Sequence, residues 1–194
     1  MRRCAGEGDA AVDELAMLDA LSVVRVPWLD PPMVVVSTFG NVGIGWVVMG
    51  IVLICMRRYR RVGIAVVVAI AVAGALAKLV IGEMVMRPRP CDVNPGFPLL
   101  ISRPFGTSFP SGHAAAAFAT VAVLVVSHMP KEVVIPSAIF AVLVAFSRLY
   151  LYVHYPTDVL AGALLGASVG VIVAWCMRPK ADAERRAGPP SAEG

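Results

Sequence analysis

Apolar positions along this chain come in long blocks broken by short polar stretches. Five blocks stand out, at 33–55, 62–81, 112–127, 133–146 and 159–177. Each approaches or reaches the roughly 17–25 residues that a helix needs to cross hydrocarbon. Backbone polar groups in lipid are satisfied only by helices or closed barrels, and the blocks lack the strict alternation of barrel strands. The pattern therefore predicts an all-α polytopic membrane bundle with five transmembrane helices.

Residues 10–26 read differently. Val12, Leu15, Leu18 and Leu21 recur near helical spacing, with Asp13, Glu14 and Asp19 between them. Such a segment suits an amphipathic helix lying in the membrane interface, with a sixth span as the alternative. The same acids interrupt the apolar stretch that a secretory signal would need after Arg2 and Arg3. Trp28 and the Pro31–Pro32 pair should separate this helix from the next. The chain thus divides into an N-terminal tail and amphipathic helix (1–28), a membrane domain (29–178) and a polar, Pro/Gly-rich tail (179–194) expected to be disordered in the cytoplasm.

Composition agrees. The 194 residues are 58% hydrophobic and 15% charged, and the mean hydropathy is +0.78. A soluble domain carries roughly 25% charge. The net charge is +4, but the excess lies in short loops beside apolar runs, which points to orientation in an anionic membrane and not to nucleic acid. Cys4, Cys55, Cys91 and Cys176 form no metal-type pattern and read as unpaired; a Cys4–Cys91 disulfide would need both residues on one side of the membrane.

Charge also predicts sidedness. Arg57, Arg58, Arg60 and Arg61 between the first two blocks belong in the cytoplasm by the positive-inside rule. Successive crossings then put the 82–111 loop outside and the turn near 148–157 outside. The tail, with Arg178, Lys180, Arg185 and Arg186, returns to the cytoplasm. On this scheme Arg87, Arg89, His113, Arg148, His154 and Asp158 share one face. One arginine there could be a snorkelling anchor; two histidines and an aspartate beside it point to function. His128 falls at the opposite end of its span and receives no role.

Two segments carry chemistry. In Phe109-Pro110-Ser111-Gly112-His113, Pro and Ser precede an Ala-rich run, which signals a helix start. Free N–H groups and the dipole end make such a start a phosphate site, Gly112 permits close approach, and His113 sits in the first turn. The plain alternative is an ordinary N-cap with an incidental histidine. In the second segment, Ser147-Arg148 is followed by His154-Tyr155-Pro156-Thr157-Asp158. Pro156 can open the last span. Asp158 can accept from one ring nitrogen of His154 and leave the other free to attack. Arg148 can grip a phosphate bidentately. Here the plain alternative is interfacial polarity, and Tyr150, Tyr152 and Tyr155 read as aromatic-belt residues.

Together these segments resemble the type 2 phosphatidic acid phosphatase superfamily, whose motifs are Lys-x6-Arg-Pro, Pro-Ser-Gly-His and Ser-Arg-x5-His-x3-Asp. The second is Pro110–His113; the third is Ser147, Arg148, His154 and Asp158. The resemblance covers about 62–177, and 29–46 also looks like members handling polyprenyl diphosphates. The first motif departs: Arg87-Pro88-Arg89-Pro90 matches its end, but the lysine position is Gly82 counted from Arg89, or Val80 counted from Arg87. Lys78 lies four residues before Gly82, one helical turn deeper on nearly the same face.

The resemblance implies a lipid phosphatase, and the lack of the acidic clusters that bind Mg²⁺, with arginines in their place, points to no metal or cofactor. His154 would attack phosphorus, Asp158 would orient it, and His113 would serve as general acid and then base. Lys78, Arg87, Arg89, Arg148 and the backbone at Ser111 and Gly112 would hold phosphate oxygens. The outward site favours a polyprenyl (undecaprenyl or decaprenyl) diphosphate. Phosphatidic acid or phosphatidylglycerophosphate is the alternative substrate, and a non-catalytic lipid-binding relative the alternative class. A haloperoxidase relative would share the motifs but look soluble.

Overall fold

The computed structural model describes residues 5–23, 25–40 and 43–178. Among them the chain is helical with no strand: α1 (Ala5–Val23), α2 (Asp30–Gly40), α3 (Ile44–Cys55), α4 (Arg60–Ala75), α5 (Gly82–Val85), α6 (Pro90–Val93), α7 (Gly112–Val126), α8 (Lys131–Tyr150) and α9 (Pro156–Cys176). The tail at 179–194, the Cys4 half of the disulfide and the burial of Val12 lie outside what is described.

This is an integral membrane bundle. Three helical stretches are long and apolar enough to cross a membrane: Arg60–Val93, Lys131–Tyr150 and Pro156–Cys176. The expected span at 33–55 is instead the pair α2 and α3, bent by 52°. Gly43 in the left-handed region (φ 71°) opens α3, a conformation that glycine adopts without a Cβ penalty. The Pro31–Pro32 pair does not break the chain; it sits in the first turn of α2, where missing N–H groups cost no helical bond. The separation comes earlier, in the turn before Asp30.

The centre of the bundle is α7. Its 15 residues span only about 22 Å at 1.5 Å per residue. Ala114, Ala115, Ala117 and Ala119 are fully buried, while Leu160, Leu164 and Ile172 of α9 point outward. Small residues inside and large ones outside is the arrangement for packing helices in lipid, where close backbone approach replaces the hydrophobic drive. Gly162, Gly166 and Gly170 of α9 face Ser111, Ala115 and Ala119 of α7, four residues apart on both helices. A Cβ built on these glycines would fall 2.3, 2.1 and 2.3 Å from the respective carbonyl oxygens. Gly63 of α4 meets the Gly50 carbonyl of α3 just as closely, at 2.5 Å.

The N-terminal helix buries an acid as well as a leucine on its covered face. Glu14 and Leu18 are both buried, and the Asp19 carboxylate accepts from the Tyr152 hydroxyl at 2.6 Å. So α1 is docked over the turn that joins α8 to α9, with acids as part of the contact. Tyr150, Tyr152 and Tyr155 are likewise buried, not arrayed as a belt. The Tyr150 hydroxyl donates to Asp30 at 2.6 Å, and the Tyr152 ring stacks on Phe97 with centroids 3.8 Å apart. Cys55, Cys91 and Cys176 are free thiols.

Candidate active site

Two helix starts build the site. Ser111 caps α7, its side chain accepting from the Ala114 N–H at 3.5 Å. Pro156 opens α9, and Asp158 folds back so that its Oδ2 accepts the Tyr155 N–H at 2.9 Å. The two starts are tied directly: the Ser111 N–H donates to the Asp158 backbone carbonyl at 2.9 Å. With the glycine seam below, this bond fixes His113 on one helix relative to His154 and Asp158 on the other.

The α8–α9 turn presents His154. Tyr152 takes the left-handed conformation there (φ 62°), uncommon for a side chain of that bulk and held by the Phe97 stack and the Asp19 bond. His154 is nearly fully buried. Its Nε2 lies 3.1 Å from Arg89 Nη1, and its Nδ1 lies 3.6 Å from Asp158 Oδ2. A guanidinium only donates, so Nε2 carries a lone pair and the ring proton resides on Nδ1, toward Asp158. At 3.6 Å that contact is longer than a hydrogen bond. Burial, together with the charges of Arg148 and Arg89, pushes the His154 imidazole down to about 4 despite Asp158. It is therefore neutral at pH 7.

Asp158 is completely buried. Besides Tyr155, its Oδ2 accepts from Ser108 Oγ at 2.5 Å, and its Oδ1 accepts from Arg87 Nη1 at 2.8 Å. Arg87 also donates to Thr157 Oγ1 at 2.7 Å and to the Glu14 carboxylate, and lies 3.9 Å over the Tyr155 ring. Its guanidinium is thus surrounded by protein acceptors.

The remaining cations sit elsewhere. Arg89 is buried and anchored by the Val153 carbonyl at 3.0 Å and the Gly106 carbonyl at 3.1 Å. Arg148, also buried, donates through Nη1 to Ser37 Oγ, while its Nε has no partner. His113 Nε2 and His154 Nδ1 are buried without a hydrogen-bond partner as well. The charges of Arg148, Lys78 and Arg89 act on His113. Lys78 reaches this group from a π-helical stretch, Leu76–Ile81, in which the Gly82 N–H donates to the Ala77 carbonyl five residues back. The wider turn places Lys78 less far along the axis from Gly82 than an α-helix would. Its Cε lies 3.8 Å from where a Cβ on Gly112 would stand.

The structure thus gathers His113, His154, Asp158, Arg89, Arg148, Lys78, Ser111 and Gly112 around the two helix starts, with Arg87 behind Asp158. Sequence reasoning did not anticipate Glu14, Ser37, Ser108 or Thr157. Thr157 adjoins the motif and was open to notice; nothing local distinguishes the other three.

Comparison with known proteins accords with this geometry. The family model described as the PAP2 superfamily matches residues 58–182. An undecaprenyl-diphosphatase of Sulfolobus acidocaldarius is 36% identical over 152 residues, covering 76% of this chain and 70% of that one. A decaprenylphosphoryl-5-phosphoribose phosphatase of Mycobacterium tuberculosis is 37% identical over 141 residues, covering 71% and 74%. The crystal structure of a transmembrane PAP2-type phosphatidylglycerolphosphate phosphatase from Bacillus subtilis superposes with a TM-score of 0.68 at 28% identity, covering 91% and 87%. All three relatives are phosphatases of lipid substrates. On the family match and these relatives, the chain belongs to the PAP2 superfamily.

Proposed function

We propose that this protein hydrolyses the terminal phosphate of a polyprenyl diphosphate at the extracytoplasmic face of the cell membrane, through a phosphohistidine on His154. One observation carries the reading. His154 Nε2 presents its lone pair beside Arg89, and His113 Nε2 is buried with no partner in the same group of cations.

In this mechanism Arg89 Nη1 passes from His154 Nε2 to a phosphate oxygen, the Nε2 lone pair so freed attacks phosphorus in line, and an N–P bond forms as the bridging P–O bond breaks. His113 gives its proton to the departing lipid phosphate oxygen and later takes one from the attacking water. Water then cleaves the N–P bond to release inorganic phosphate and restore His154. The imidazolium that develops on His154 is stabilised by Asp158 through the Nδ1 proton, which requires the 3.6 Å contact to tighten on binding. Arg89, Arg148 and Lys78, with the N–H groups that open α7, take up the charge on the equatorial oxygens. The extracytoplasmic assignment is supported by the arginine cluster at 57–61, one crossing before the 82–111 loop and three before the turn bearing His154.

The polyprenyl preference is supported by the undecaprenyl-diphosphatase relative. Phosphatidylglycerophosphate is the second reading, favoured by the Bacillus subtilis structure that covers 91% of this chain. Phosphate release from undecaprenyl diphosphate, phosphatidic acid and phosphatidylglycerophosphate by purified protein in detergent separates them. The highest kcat/KM belongs to the diphosphate, with His154→Ala inactive. Preference for either glycerolipid would overturn the substrate assignment; a fully active His154→Ala would overturn the mechanism.

A further inference from the structure

Glu14 stands 73 residues from Arg87 and 143 from Thr157 in sequence, yet it binds both. One oxygen accepts from Arg87 Nη2, and the other accepts from the Thr157 N–H at 2.9 Å, at the start of α9. Burial alone would raise its carboxyl, but the bonds from Arg87 and Thr157 outweigh that and hold it below the usual range, so the side chain is a carboxylate at neutral pH. Arg87 is therefore a cation shared between two carboxylates, Glu14 and Asp158, over the face of Tyr155.

That sharing matters for His154. Asp158 is the negative group beside the ring, and a full positive charge bonded to Asp158 would cancel much of its field. Glu14 offsets Arg87, which leaves Asp158 effectively anionic toward His154. We propose that Glu14 of the N-terminal helix is a positioning residue for the reaction: it divides Arg87 between itself and Asp158, and so preserves the carboxylate character that activates His154. The inference rests on the phosphohistidine reading above.

The charged and titratable groups facing His154 are Asp158 from α9, Arg148 from α8, Arg89 from the segment before α6 and His113 from α7. Only Asp158 among them is negative. Glu14→Gln keeps the shape but removes the charge, and it sets an amide against Thr157 and Arg87 that cannot accept from both. Asp158 is then the one carboxylate bonded to Arg87. The expected result is a kcat about tenfold lower, the free-energy equivalent of about one pKa unit on the ring, with KM within about twofold. The acid limb of kcat/KM moves to lower pH, because the ring loses negative potential. Glu14→Asp, which keeps the charge, restores the limb toward wild type. In an Arg87→Gln background the added Glu14→Gln change costs less than about twofold.

Three results overturn the proposal: a Glu14→Gln enzyme within twofold of wild type, a lower kcat with the acid limb unmoved, or losses that multiply in the double variant. Wild-type and His154→Ala turnover are measured alongside. If those two do not differ, the phosphohistidine reading falls by itself. The Glu14 inference is then decided by NMR titration of the His154 ring, whose midpoint must still drop in Glu14→Gln and is refuted by an unchanged one.

Discussion

The α7–α9 seam should control catalysis from a distance, and Gly166→Ala tests this most sharply. The new Cβ would stand 2.1 Å from the Ala115 carbonyl oxygen and 2.8 Å from its carbon. Ordinary contact begins at 3.4 Å, so 3.4 − 2.1 gives 1.3 Å of separation that α9 must take up. Both neighbours are backbone, so no rotamer change relieves the clash. Overpacking of this kind costs about 1–3 kcal/mol. The catalytic consequence is larger, because His113 rides on α7 and His154 with Asp158 lead into α9. A displacement of about 1 Å in reacting groups costs on the order of 10²-fold in rate. Gly74→Ala is the matched control: nothing lies within 4 Å of its Cβ position, and the change in a helix interior stabilises by about 0.5–1 kcal/mol. Phosphate release and thermal unfolding of the purified variants in detergent supply the readout. Wild-type kcat and Tm in Gly166→Ala would refute the claim that this seam sets the site.

Other predictions follow from the site. His154, buried down to about 4, keeps its lone pair above that value, so the acid limb of kcat/KM, corrected for substrate ionisation, should fall near 4; a midpoint near 6.5 would contradict the buried assignment. Since the unfolded ring titrates near 6.5 and the folded one near 4, the unfolded state binds the extra proton between them, and this group's contribution to stability should rise with pH across that window, read by denaturant midpoints. Arg89→Ala should lower kcat by about 10²–10³-fold, the loss expected for one charge-stabilising donor, and steady-state kinetics that show only a raised KM would assign Arg89 to ground-state binding. With Lys78, Arg89 and Arg148 neutralising the phosphate, turnover should survive EDTA and be inhibited by vanadate; loss on chelation would call for a metal.

Much of the site was legible because its residues flank helix starts. Ser111 and Pro156 are strong N-terminal signals, and counting apolar blocks put His113, His154 and Asp158 at one face. The bent α2–α3 pair was hidden by continuous apolarity, although Gly40, Gly43 and Gly45 marked the weak point. The glycines at 162, 166 and 170 recur every fourth residue and could have been read as a close-packing seam. Lys78 looked displaced because spacing arguments assume α-helical turns, and a π-helical stretch changes the register without a sequence signal. Glu14 was not readable. A carboxylate between leucines at helical spacing looks the same whether it meets water or an arginine far along the chain.

The most direct test is whether phosphate becomes bound to His154. Enzyme quenched during turnover of β-³²P-labelled undecaprenyl diphosphate should carry acid-labile, alkali-stable label on the peptide containing His154, and His154→Ala should carry none. Label on another residue, or unlabelled enzyme that still turns over when quenched within the first cycle, would contradict nucleophilic catalysis by this histidine.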